Sequence, residues 1–115
     1  MPVILYDKMN MKEIEFKGAE KVSKAVVIGA KEGWADHTLR VFRLAPGGFT
    51  PRHSHDWEHV NYIIKGKGEL RLGDEVRSVK EHDFAFVPPN TEHQFRNAGD
   101  GEFEFICIVP NRGEY

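Results

Sequence analysis

The hydrophobic positions of this 115-residue chain fall into many short runs of β-branched, aromatic and apolar residues, with no long stretch of helical period. Turn signals separate the runs: Pro46-Gly47-Gly48, Gly66-Lys67-Gly68, Gly73-Asp74, Pro88-Pro89-Asn90 and Gly99-Asp100-Gly101, each able to supply a positive or fixed φ. Many short strands between closely spaced turns predict an all-β sandwich or barrel. The predicted strands cover 22–29, 38–44, 50–55, 60–64, 68–72, 76–79, 84–87, 93–97 and 103–109. Residues 11–20 have room for a helical turn, but charged residues interrupt any continuous apolar face.

A chain of this length holds one domain, 1–115, and is too short for a second. Lys and Arg number 16 against 18 Asp and Glu, with no basic run, so neither nucleic acid nor an anionic membrane surface is an expected partner. Cys107 stands alone, which rules out an intramolecular disulfide. With an N-terminus that lacks the apolar core of a signal peptide, it points to a cytoplasmic setting. No apolar run approaches bilayer length.

The candidate chemistry lies in the histidines. In Arg52-His53-Ser54-His55-Asp56-Trp57-Glu58-His59, an extended backbone turns His53 and His55 to one face. His59 follows four residues later, and His93 must be delivered by the fold. Neutral imidazole is the commonest protein ligand for borderline divalent metals, so four convergent histidines are a metal signature.

From Gly47 to Gly66 the chain resembles the first motif of the cupins: Gly47, His53, His55, His59 and Gly66 fall on its positions. The second cupin motif is matched by Pro88, His93 and Asn97, with His82 and Asn90 where that motif carries glycines. Fifteen residues separate the motifs, as in compact single-domain microbial cupins. Most cupins carry a Glu ligand where this chain has His59, and the pattern is therefore similar to the small tetra-histidine, manganese-binding members. The resemblance implies an all-β, single-domain jelly-roll barrel (a double-stranded β-helix) with His53, His55, His59 and His93 as metal ligands. It implies a homodimer too, in which residues 1–10, with the apolar run Val3-Ile4-Leu5-Tyr6, add as an exchanged strand to the partner's sheet.

Four neutral ligands leave the charge of a divalent ion uncompensated and make it a stronger Lewis acid. Imidazole suits Mn, Fe, Co, Ni, Cu and Zn, whereas Mg and Ca prefer oxygen; manganese rests on the resemblance. Two functions are open at this point. One is a metalloenzyme of the dioxygenase or other oxidoreductase type acting on a small organic molecule. The other is a non-catalytic small-molecule or sugar-binding protein whose metal is structural or orients the ligand. Around the metal, Trp57 is a candidate for the cavity mouth and Cys107, which shares a strand face with Phe103 and Phe105, for a thiol near the ion. Phe49 and Phe95 are candidates for the wall or the core. Glu58 and Arg52 are the nearest acid–base groups by sequence, and His37 and His82 are expected on the surface.

Overall fold

Alternation along two neighbouring strands builds the interior. In the computed structural model, which describes residues 2–114, β3 (His37–Phe49) and β9 (Phe103–Pro110) pair antiparallel with Leu44 opposite Phe103, Phe42 opposite Phe105, Arg40 opposite Cys107 and Thr38 opposite Val109. These eight side chains share the inner face, so apolar bulk sits at one end of the sheet and polar groups at the other. The remaining strands are β1 (Lys12–Ile14), β2 (Glu20–Ile28), β4 (His59–Lys65), β5 (Lys67–Leu72), β6 (Glu75–Lys80), β7 (Phe84–Val87) and β8 (His93–Asn97). Single 3-10 turns occupy Tyr6–Lys8, Ala30–Glu32 and Asn111–Gly113.

The strand order is β6-β5-β8-β3-β9-β4-β7, with β2 also on β3 and β1 on β2. Strand β3 joins the two halves: its body pairs with β2 and β9, and its end reaches β8 at Phe49 opposite Arg96. The sheet thereby curls into a jelly-roll half-barrel. Its core is Val22, Leu44, Ile63, Leu70, Phe95, Phe103 and Phe105, each contributing about 2 kcal/mol by burial. The Phe95 and Phe105 rings stack with centroids 4.1 Å apart. Among the described residues, no helix is long and apolar enough to cross a membrane.

The predicted strands at 84–87 and 93–97 form with those bounds, and most others shift by a few residues. Three expectations change. Residues 50–55 are extended but not a strand: Pro51 has no N–H, and the ladder to β8 is reduced to Thr50 N donating to the Phe95 carbonyl (2.9 Å) and a reciprocal His53–His93 pair (3.2 and 2.9 Å). Pro46-Gly47-Gly48 does not end a strand but lies within β3, where Gly47 at φ 82° and a register jump between Glu20 and Val22 mark a bulge. Residues 11–20 hold β1 and a turn instead of a helical turn. In the N-terminal segment Met1 lies outside the described residues; residues 2–10 form no strand, and the Tyr6 hydroxyl donates to the buried carboxylate of Glu104, which also pairs with Arg43.

Both departures from the second motif's glycines keep its backbone. His82 and Asn90 adopt φ of 75° and 62°, the left-handed region that glycine usually supplies. His82 is held there by its Nδ1 at 2.6 Å from the Tyr62 hydroxyl.

Candidate functional site

The polar end of the inner face is where the histidines meet. His59 opens β4 and His93 opens β8, and both are almost fully buried. His53 and His55 come from the extended segment that the reciprocal bridge fastens to His93. Ring nitrogens of His53, His55 and His93 all lie within 4.8 Å of one another, a grouping able to hold a metal ion. His59 joins them from β4, its Nε2 lying 3.2 Å from Nε2 of His93.

Neighbouring oxygens set the tautomers. Nδ1 of His55 donates to the Trp57 carbonyl (2.9 Å) and Nδ1 of His93 to the Thr91 carbonyl (2.9 Å). Nδ1 of His59 donates to Oδ1 of Asn61 (2.7 Å), whose own Nδ2 donates to the Ile106 carbonyl (3.1 Å) and so fixes which way the amide faces. In each of these three rings the proton is on Nδ1 and the lone pair is on Nε2. His59 and His93 therefore turn two lone pairs on each other at 3.2 Å. Without a cation between them this contact is repulsive; with one it is a ligand pair.

Burial reinforces the neutral state. It lowers the His59 and His93 pKa to about 4 and also depresses His53 and His55. Metals bind neutral imidazole, so the protein holds these rings in the ligating form at physiological pH.

A cavity of about 120 Å³ opens beside the histidines. Its apolar wall includes Phe42, Phe95 and Phe105, its cations are Lys24 and Arg40, and Trp57 and Gly113 line it as well. The Trp57 indole stacks on His55 with centroids 4.2 Å apart. A Cβ on Gly113 would run into that indole, so only glycine lets the C-terminal turn close here.

The candidate side chains divide accordingly. Trp57, Phe95 and Cys107 line the cavity, whereas Phe49 lies apart from it with the Arg96 guanidinium 5.9 Å from its ring. Cys107 is buried, its thiol pKa pushed up by burial, and it accepts from Nη2 of Arg40 at 3.0 Å. Arg52 is engaged in an exposed ion pair with Glu92, and neither it nor Glu58 lines the cavity. His82 is exposed and His37 half-buried against Trp34. Sequence reasoning missed Lys24, Arg40, Asn61 and Glu114. Arg40 had a signal: it shares a strand face with Phe42 and Leu44, and an arginine in register with core residues is either paired or functional.

Residues 40–109 match the cupin domain family. The chain belongs to the cupins. Over 71 residues this cupin is 35% identical to the 1-methylthio-D-xylulose 5-phosphate methylsulfurylase of Rhodospirillum rubrum, covering 62% of this chain and 46% of that protein. It is 30% identical over 106 residues to auxin-binding protein 4 of Zea mays, covering 83% of the chain and 52% of that protein. The chain thus spans about half the length of these curated relatives. Among solved structures, the polyketide cyclase RemF from Streptomyces resistomycificus superposes with a TM-score of 0.88 at 25% identity, over 96% of this chain and 79% of that one. A predicted oxalate decarboxylase from Thermotoga maritima shares the fold with a TM-score of 0.85 at 19% identity, over 95% of this chain and 98% of that one.

Proposed function

We propose that this cupin is a metalloenzyme, of the dioxygenase or other oxidoreductase type, acting on a small organic molecule at a divalent ion held by His53, His55, His59 and His93. The observation that carries this reading is the opposition of the His59 and His93 lone pairs at 3.2 Å, in rings whose other nitrogens are committed to Asn61 and the Thr91 carbonyl. Manganese is the ion favoured by the resemblance of the motif; four imidazoles also suit Fe, Co, Ni, Cu and Zn. When bound, such an ion supplies Lewis acidity, strong because no ligand is anionic, and one-electron chemistry if it is redox-active. The protein's part is to orient the imidazoles through their Nδ1 protons and to wall the substrate with Phe42, Phe95 and Phe105. The names of two relatives, a methylsulfurylase and a polyketide cyclase, describe enzymes of small organic substrates, which fits an enzymatic reading.

One observation favours a second reading. Among the described residues that line the cavity there is no carboxylate, and Glu114, which reaches its two cations, is tied up in ion pairs with Lys24 and Arg40, so no free acidic side chain is poised for proton transfer, as suits a small-molecule or sugar-binding protein whose ion orients the ligand.

Elemental analysis of tag-free protein beside His93→Ala separates metal from no metal. About one transition metal per chain, lost in the variant, is the expected outcome. No metal in the wild type after incubation with Mn, Fe, Co, Ni, Cu and Zn salts would leave a metal-independent binding protein. Oxygen uptake with small organic acids, present in the wild type and absent in His59→Ala, would select the enzyme over the binder.

We further propose a homodimer in which residues 1–10 pack on the partner. Val3, Leu5 and Tyr6 are 77%, 57% and 51% exposed, an apolar cluster that one subunit leaves in water.

A further inference from the structure

The cavity wall away from the metal ligands carries a charge arrangement that the metal reading does not use. Arg40 projects from β3 into the cavity and is 6% exposed. Burying a guanidinium is costly unless its donors are filled. Here they are filled poorly: Nη2 donates to the weak acceptor Sγ of Cys107 (3.0 Å), Nη1 makes a long contact with Glu114 (3.3 Å), and Nε is buried with no hydrogen-bond partner. Lys24, a second cation on the same wall, meets the other oxygen of Glu114 at 3.1 Å. One carboxylate thus bridges both cations. It directly follows the turn Asn111–Gly113, whose Gly113 packs against the Trp57 indole.

We infer that Arg40 and Lys24 form the seat for the acid group of the cavity's ligand, a small organic anion with an apolar body, and that Glu114 fills this seat until the ligand displaces it. A carboxylate or a phosphate monoester satisfies the same chemistry: it offers oxygens to the under-filled donors of Arg40, which a neutral ligand would leave as they are. The body of the ligand lies against Phe42, Phe95 and Phe105, toward the histidines. Arg40 and the four histidines line the same cavity, so one small molecule can span the seat and the metal. Glu114 lies outside the strands, so releasing it breaks two ion pairs and leaves the sheet intact.

The seat extends the proposed metal-centred function, and its test is read separately from the metal. Benzoate, phenyl phosphate and uncharged benzyl alcohol are titrated calorimetrically into wild type, Glu114→Gln and Lys24→Met, with metal content measured on the same samples and folding checked by circular dichroism. Glu114→Gln removes the resident competitor and is expected to tighten anion binding about tenfold; Lys24→Met weakens it by about the same factor, and benzyl alcohol is indifferent to both. Preference for phenyl phosphate assigns the seat to phosphate monoesters, and preference for benzoate to carboxylates. Folded Glu114→Gln that binds neither anion, or binds them no more tightly than the wild type, overturns the seat. Metal-loaded protein with that result would lose the seat and keep the metal centre; metal-free protein with tightened anion binding would do the reverse.

Discussion

Asn61 is fully buried at the inner face of β4, and its amide is fixed at both ends, by the Ile106 carbonyl and by Nδ1 of His59. Its work is to aim His59. Asn61→Ala is expected to lower metal affinity about 10- to 100-fold, the usual effect of removing a group that orients a ligand, while circular dichroism stays native. A chelator-competition titration with unchanged affinity would show that packing alone aims the ring. The histidines also set a pH dependence. With folded pKa values of about 4 for His59 and His93 against about 6.5 unfolded, the unfolded chain takes up protons first as pH falls. Stability of metal-stripped protein is therefore complete above about pH 6.5 and declines from there to about pH 4, by up to about 3 kcal/mol per histidine. Denaturant melts at pH 7.5, 6 and 5 would read this as a falling midpoint, and a flat midpoint would refute it. Bound metal needs the same neutral rings, so occupancy falls over the same acidic range.

At the scale of elements, the strands that alternate cleanly were legible, and those with sparse ladders were not. Phe84–Val87 and His93–Asn97 combine apolar residues with flanking turn signals, and local pattern suffices to bound them. The segment 50–55 reads as a strand because its side chains alternate, and His53 and His55 do reach one site. What alternation cannot report is whether a partner supplies hydrogen bonds, and β8 bonds this segment only at Thr50 and His53. The bulge in β3 escapes the sequence pattern for a related reason. Pro-Gly-Gly usually ends a strand, but β3 resumes its pairing beyond it at Phe49, opposite Glu20 of β2 and Arg96 of β8. Asn97 shows a motif residue with a structural duty: its Nδ2 donates to the Leu44 and Gly101 carbonyls (2.9 and 2.8 Å), and its Oδ1 accepts from Gly99 N (2.9 Å), which ties the β8–β9 turn to β3.

At the scale of the whole molecule, the exposed apolar N-terminus bears on assembly. Removing residues 1–7 takes away Val3, Leu5 and Tyr6, and with Tyr6 the hydroxyl that reaches Glu104. The shortened chain is expected to sediment as a monomer where the full chain is a dimer; an unchanged mass would count against the exchange. The sequence by itself determined the all-β class and which histidines could share a metal, because alternation and motif spacing are local properties of the chain. Only the tertiary structure decided what surrounds those histidines. Asn61 lies opposite Cys107, Arg40 lies opposite Cys107 from the other side, and Glu114 returns from the far end of the chain to Lys24. Those neighbours are set by the register between strands distant in sequence and by a tail folding back over Trp57, and neither leaves a period or a spacing to read.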